Sequence, residues 1–269
     1  MSKPSLYRAG VIADLHIGSR YALVPPQFRG DPGPAGMFLD YMWACWLDFV
    51  KRCPPLDCLI INGDCMEGEH PTLRSAPDAI DTSPVRQVDM AVETVGLLRP
   101  KAKKLWLVRG TGFHEGLWNQ SLEQLGRELK AEKWTDRRYS GEVLEGTFAG
   151  YTMNIVHAQT FGAIYQGTLL DRTARFAALA DSVSKSVEAD IIIRSHTHQT
   201  GLGCFQGKWV LSTRCWKLLN PYAIARMEYY RALSSLGLGG HVLTFSDDGI
   251  NWREFKYEPF KADTLRKLA

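Results

Sequence analysis

The sequence predicts an α/β fold, and two observations carry that expectation. Short runs rich in Val, Ile and Leu alternate with longer segments whose apolar residues recur at helical spacing. Five of those runs also hand over directly to an Asp or a His, and in α/β sheets ligands bind outside the carboxyl ends of the strands. A length of 269 residues fits one or two domains. With no internal repeat, low-complexity tract or linker, the expectation is a single domain over 1–269.

The first strand is expected over Tyr7 to Ala13, followed by a Pro/Gly-rich loop from Pro25 to Gly36. Phe38, Met42, Trp46 and Phe49 are spaced for one face of a helix from about Met37 to Lys51, which Cys53-Pro54-Pro55 stops. Cys58 to Ile61 forms the second strand, and Gly63 to Thr82, rich in Gly, Pro, Asp and Glu, a second long loop. Ser83-Pro84 caps a helix reaching about Leu98, with the basic run Arg99 to Lys104 as its solvated end. Leu105 to Val108 is the third strand, and a helix covers about Ser121 to Ala131. Val143 to Phe148 and Tyr151 to Val156 flank Ala149-Gly150 as a hairpin. A helix from about Gln166 to Val187 leads to the strand Ile191 to Arg194 and a β-rich end, with turns at Gln206-Gly207 and Asp247-Asp248-Gly249.

Composition narrows the class. Hydrophobic residues at 45% and charged residues at 23% are near globular averages, which excludes disorder, collagen and coiled coil as overall descriptions. A net charge of +3 permits a nucleic-acid partner without requiring one. No apolar run approaches the roughly 18 residues of a membrane span. Asp14 interrupts the first apolar run before a signal-peptide core forms, so an intracellular, cytoplasmic protein is expected. The six cysteines lack Cys-x-x-Cys spacing and read as reduced, mostly buried thiols.

The chemistry lies at the strand ends. Val11-Ile12-Ala13 runs into Asp14-Leu15-His16, Leu59 to Asn62 into Gly63-Asp64, and Leu105 to Val108 into Arg109-Gly110-Thr111-Gly112-Phe113-His114-Glu115. Ile155-Val156 runs into His157, and Ile191 to Arg194 into Ser195-His196-Thr197-His198. Five of the seven histidines fall at these ends. Imidazole with carboxylate suits borderline divalent metals, and the absence of cysteine from the set argues against a thiolate structural site. The set exceeds what one catalytic ion with open positions needs, so two metals fit better.

Taken in order, Asp14-Leu15-His16, Gly63-Asp64, His114-Glu115, His157 and His196-Thr197-His198 resemble the motifs of the calcineurin-like metallophosphoesterase superfamily over about 185 residues. The resemblance implies a four-layer sandwich, two mixed β-sheets flanked by helices, with a binuclear metal centre at one edge. It implies Asp14, His16 and His198 on the first metal, His157 and His196 on the second, and Asp64 bridging. Two ions about 3.5–4 Å apart would activate a bridging hydroxide for in-line attack on phosphorus. Manganese is the first choice, with zinc, iron, nickel, cobalt or magnesium as alternatives. His114 takes the slot of the histidine that contacts the scissile phosphate and protonates the departing oxygen.

Two departures stand out. The family's Asn ligand is absent, and Gly110-Thr111-Gly112-Phe113-His114 is two residues longer than Gly-Asn-His, so Thr111 or a water is the candidate replacement. The Gly-Thr-x-x-His-x-Gly form is similar to uncharacterised phage, prophage and archaeal members. Ser195 stands where the family has Gly before His-x-His.

Around this set, Arg20 and Arg109 are the candidate substrate-binding residues, with Arg194 and Arg214 also near the motifs. Glu67 and Glu115 are candidate partners for ligating histidines. His70 and His241 read as structural. Trp216-Lys217 could stack a base and meet a phosphate, although a core role suits the tryptophan better. The expected function is hydrolysis of a phosphodiester in a nucleotide or nucleic acid, as in a nuclease. Phosphomonoesterase or protein phosphatase is the alternative enzyme, and a metal-binding interaction module without turnover the alternative of another class.

Overall fold

A computed structural model describes residues 6–31, 33, 36–68, 78–116, 119–157, 166–184, 188–218, 237–246 and 248–258. The first sheet has the order β11-β10-β1-β2-β3-β4. Its strands are β1 (Tyr7–Ile12), β2 (Leu56–Asn62), β3 (Ala102–Val108), β4 (Ser140–Gly141), β10 (Leu238–Ser246) and β11 (Gly249–Tyr257). The second has the order β5-β6-β7-β9-β8, formed by β5 (Val143–Phe148), β6 (Tyr151–Val156), β7 (Ile191–Arg194), β8 (Gly201–Phe205) and β9 (Lys208–Ser212). Each sheet is mixed: β1 to β4 run parallel with β10 antiparallel to β1, and β6, β7 and β9 run parallel between the antiparallel edges β5 and β8.

Three apolar clusters stack these elements. Ala9, Val11, Cys58 and Ile60 share one buried cluster with Met153, Ile155, Ile191, Ile193 and Leu211, so the two sheets face each other. On the outer side of the first sheet, Ile12, Leu59, Ile61 and Leu105 pack on α1 (Gly36–Arg52), α2 (Pro84–Gly96) and α4 (Gln120–Glu128). On the outer side of the second, Ile192 and Val210 pack on Leu170 and Ala174 of α5 (Gln166–Ser184). The result is the helix, sheet, sheet, helix layering expected. Both faces of the central strands are covered, which is why they read as continuous apolar runs instead of alternating ones.

Local chemistry explains the element ends. Ser83 caps α2, its hydroxyl accepting the Arg86 N–H at 3.5 Å, with Pro84 in the first turn. Ala149 and Gly150 both have positive φ, 50° and 87°, as the tight turn between β5 and β6 demands. Some expectations need correction. The segment from Pro25 contains a 3-10 turn, Pro26–Phe28, and α1 already begins at Gly36. The basic run is no solvated helix end: Arg99–Lys101 is a 3-10 turn and β3 starts at Ala102. Arg99 instead donates to the Leu129 and Ala102 carbonyls, and Lys101 Nζ to the Lys51 and Cys53 carbonyls at the end of α1. All six cysteines are free thiols, five of them buried. Among the described residues no helix is long and apolar enough to cross a membrane. His70 and residues 69–77 of the second long loop lie outside the described residues, as do 185–187 and Asp247.

Candidate metal centre

The parallel strands β1, β2, β3, β6 and β7 all end on the same side, and their next residues carry the ligand-type side chains. The pairing of β1 with β2 continues beyond the strands, with Asp14 N–H donating to the Gly63 carbonyl (3.1 Å) and His16 N–H to the Asp64 carbonyl (3.0 Å). That ladder sets Asp14 and Asp64 side by side. His196 N–H then donates to Asp14 Oδ2 (3.2 Å), bringing the β7 end of the second sheet onto the β1 end of the first.

Asp14, His16, Asp64, His196 and His198 all have positive φ, between 44° and 76°, and make up five of the nine such non-glycine residues among those described. Backbone of this kind costs energy and persists only where surrounding contacts hold it, a pattern concentrated at functional sites. Close approach adds a second constraint. A Cβ on Gly63 would lie 2.3 Å from the His157 ring, and one on Gly110 would lie 2.2 Å from Asp64 Oδ1.

The side chains converge in three overlapping sets: Asp14 with His16 and His198, His16 with Asp64 and His114, and Asp64 with His157 and His196, each with candidate ligand atoms within 4.8 Å of one another. His198 Nε2 lies 3.3 Å from Asp14 Oδ1 and 3.2 Å from His16 Nε2. His157 Nε2 lies 3.0 Å from Asp64 Oδ2, and His196 Nδ1 3.8 Å from the same oxygen. Yet Asp14 Oδ1 and His157 Nε2 are buried without any hydrogen-bond partner. Buried polar atoms ordinarily find partners. Carboxylate oxygens and imidazole nitrogens crowded together in this way are what a cation would satisfy in place of protons, so the donor set fits the metals that the motifs imply.

Outer contacts fix the ring orientations. His157 Nδ1 donates to the Asn62 carbonyl (2.7 Å), which leaves Nε2 as the atom facing the carboxylates. His16 Nδ1 donates to Glu67 Oε2 (2.9 Å), which leaves its Nε2 facing His198. Burial pushes the His16 imidazole down to about 3, aided by the Lys217 and His114 charges, so it is neutral and fit to ligate. Burial alone would lower His157 too, but the Asp14 and Asp64 carboxylates outweigh it and raise the ring to about 9. Burial likewise works against ionising Asp64, and His157 and His196 still hold it well below the usual carboxylate range.

His114 sits in the short helix α3 (Gly112–Glu115), with its ring centroid 4.4 Å from that of His16 and Nδ1 donating to the Glu67 carbonyl at 2.5 Å. Thr111 donates both its backbone N–H (2.7 Å) and its hydroxyl (2.9 Å) to Asp64 Oδ1. It therefore clamps the shared carboxylate. Glu115 does not reach a histidine; its carboxylate accepts the N–H groups of Cys65 and Gly110 and ties the β2 and β3 loops together. Burial, with Asp64 nearby, raises that carboxyl to about 7.

The arginines divide. Arg109 donates to Ser140 Oγ (3.1 Å) and lies 3.9 Å from Glu123 and 3.8 Å from Glu142. Arg20 lies in the loop after β1, where its N–H donates to the Asp78 carbonyl. Arg194 is bound to the Asn154 and Ile193 carbonyls, and Arg214 pairs with Glu254. Trp216 is wholly buried against Trp46 and Phe49, so it belongs to the core and stacks no base.

Asn62 escapes motif reading, and Ser195 and Lys217, both singled out in the sequence, make contacts that it does not show. Asn62 ends an apolar strand, and that placement is the only signal it gives; its amide donates to the Val156 carbonyl and to Ser195 Oγ (2.5 Å). Ser195 Oγ also accepts from Thr213 Oγ1 (2.9 Å), which gives the serine a role a glycine could not fill. Lys217 places Nζ 2.7 and 2.8 Å from the two oxygens of Glu67.

No family model and no curated protein matches the chain. Solved structures do. Zinc-complexed Vps29 from Entamoeba histolytica is 14% identical, covering 93% of this chain and 99% of that one at a TM-score of 0.44. A novel archaeal phosphodiesterase is 11% identical, with the same coverage and score. A predicted phosphoesterase from Streptococcus pneumoniae is 12% identical, covering 96% and 95% at 0.39. These are likenesses of fold and assign no role to any residue. The chain itself resembles the calcineurin-like metallophosphoesterases in motif order and in its layering of two mixed sheets between helices.

Proposed function

We propose that this chain, as one domain over 1–269, is a cytoplasmic, calcineurin-like, metal-dependent phosphoesterase acting on phosphodiesters of nucleotides or nucleic acid. The observation that carries the reading is the convergence of Asp14, His16 and His198 in one set and Asp64, His157 and His196 in another, with Asp64 also grouped with His16 and with Asp14 Oδ1 and His157 Nε2 buried and lacking a hydrogen bond. The first three would hold one divalent ion and the two histidines the second, Asp64 serving both, with manganese the first candidate. When bound, such a pair supplies charge stabilisation for phosphoryl oxygens and an acidified water near neutral pH.

The protein's own groups prepare the rest. Glu67 and the Asn62 carbonyl hold the His16 and His157 rings, and Thr111 and Glu115 hold Asp64 and its neighbouring loop, so the ligands need little rearrangement. His114, held at Nδ1 by the Glu67 carbonyl, would meet a substrate oxygen through Nε2. Burial lowers its pKa, so as an acid His114 would act from its imidazolium fraction, the proton being taken up from solvent before each turnover. A histidine acid is of most use to an alkoxide leaving group, which alkyl diesters and monoesters share, so it supports phosphoester hydrolysis and leaves the diester to be decided by turnover. Arg20 and Arg109 are the substrate-binding arginines of the proposal.

Turnover of nitrophenyl and nucleotide mono- and diesters, assayed with Mn, Zn, Mg, Ni and Fe and after chelation, tests it. Metal-dependent diester cleavage is the expected result. Cleavage of monoesters alone would make it a phosphomonoesterase or protein phosphatase. Stoichiometric metal without turnover would make it an interaction module.

A further inference from the structure

We propose that Lys217 is a positioning residue for the metal centre: by gripping both oxygens of Glu67 it fixes the His16 ring with Nε2 turned toward Asp14 and His198. The inference rests on the reading of His16 as a metal ligand. Three buried groups form a line. Lys217 Nζ lies 2.7 Å from Glu67 Oε1 and 2.8 Å from Oε2, and Glu67 Oε2 accepts from His16 Nδ1 at 2.9 Å. Glu67 is fully buried, and Lys217 is 9% exposed.

The backbone brings the ammonium there. Trp216 N–H donates to the Asp14 carbonyl (2.9 Å) and Leu218 N–H to the Tyr21 carbonyl (2.7 Å), so the strap around Lys217 is fastened along the loop that carries Asp14 and His16. Glu67 N–H in turn donates to the Ile17 carbonyl. Without Lys217, a buried carboxylate would lose its counter-charge and move or take up a proton. Either response removes a fixed anionic acceptor from His16 Nδ1, leaving the imidazole free to turn or to exchange its tautomer.

A bridge that merely joins two segments predicts something different. Buried ion pairs can often be replaced together by neutral residues with little loss of stability, so a structural role would be restored by removing both charges. A positioning role would not be. Manganese binding should be titrated for the parent, Lys217→Met, Glu67→Gln and the double variant, with urea stability measured alongside. The 15N chemical shifts of the His16 ring should be recorded in ion-free protein.

Lys217→Met should weaken one of two binding steps about tenfold to a hundredfold and leave the other unchanged. In the Glu67→Gln background the lysine substitution should have no further effect on that step, even where the double variant regains stability. The His16 shifts should report a single Nδ1–H form in the parent and a mixture in Lys217→Met. Unchanged binding steps and an unchanged tautomer in Lys217→Met would overturn the proposal, as would an equal loss with and without Glu67. A parent protein that binds no manganese would defeat the reading of the centre, whereas the ring shifts would still decide the role of Lys217. The neutral double variant keeps the test open should Lys217→Met fold poorly.

Discussion

His16 Nε2 and His198 Nε2 lie 3.2 Å apart, although 182 residues separate them in the chain. With His16 Nδ1 engaged by Glu67, its Nε2 carries a lone pair directed at the other ring. If one ion reconciles them, His16→Ala and His198→Ala should each remove the same equivalent of metal, and the double variant should remove no more. His157→Ala and His196→Ala should remove the other equivalent, and Asp64→Ala both. Metal analysis after equilibrium dialysis reads this directly, and an Asp64→Ala protein that keeps two ions would refute the shared carboxylate.

His114 belongs to a set with His16 and Asp64 and also faces the centre from α3. As the acid, its replacement in His114→Asn should leave metal content intact and slow esters with alkoxide leaving groups by about a hundredfold to ten-thousandfold, with a much smaller loss on nitrophenyl esters. Equal losses on both would mark a phosphate-positioning role. Loss of an ion would mark a ligand.

Thr111 offers a sharper probe of the missing asparagine. Its hydroxyl and N–H both point to Asp64 Oδ1, so Thr111→Val should cost about 1.5–3 kcal/mol in urea unfolding of ion-free protein, the range for a hydrogen bond to a charged group. A neutral hydroxyl or water supplies less than a fixed amide oxygen, so the parent should show two unequal manganese affinities. Two tight, equal sites would mean that another ligand replaces the asparagine.

These results separate what local sequence carries from what it does not. Asp14, His16, Asp64, His157, His196 and His198 are legible as candidates because each falls within four residues of the end of an apolar strand, and the ends of parallel strands lie on one side of a sheet. The hairpin at Ala149-Gly150 is legible because its turn chemistry is local. By contrast, β10 pairs with β1 across more than half the chain, a non-local choice that no periodicity reveals. Lys217 reaches Glu67 over 150 residues. Arg109, adjacent to a motif, lies 3.9 Å from Glu123 and 3.8 Å from Glu142, carboxylates whose proximity only the fold creates.

Gly110 makes the close packing testable. A Cβ there would meet the Asp64 backbone N and Oδ1, both at 2.2 Å, the first fixed in the backbone and the second held by Thr111. Gly110→Ala should therefore cost about 1–3 kcal/mol and displace Asp64, lowering the affinity for both metal equivalents together. Gly112→Ala, where a Cβ has open space, is the control and should leave the metal titration as it is.

His241 belongs to none of the three candidate ligand sets and predicts a pH dependence of its own. It sits in β10 opposite Val11, is almost fully buried, and accepts the Arg214 N–H at Nε2 (3.1 Å). Burial, with the Arg214 charge adding to it, pushes its pKa down to about 3. The unfolded chain binds a proton at this residue below about pH 6.5 whereas the folded chain does not, so stability is fully present above that pH and declines as pH falls toward 3. The slope approaches about 1.4 kcal/mol per pH unit, or roughly 2 kcal/mol between pH 6.5 and 5. His241→Gln keeps an acceptor for Arg214 N–H and does not titrate. Urea unfolding at pH 7.5 and 5 should show a loss smaller by about 2 kcal/mol in this variant than in the parent, and because both proteins retain His16 and His114 the difference belongs to His241. Equal losses in the two proteins would show that His241 is protonated in the fold at pH 5 and that the Arg214 N–H finds another acceptor there.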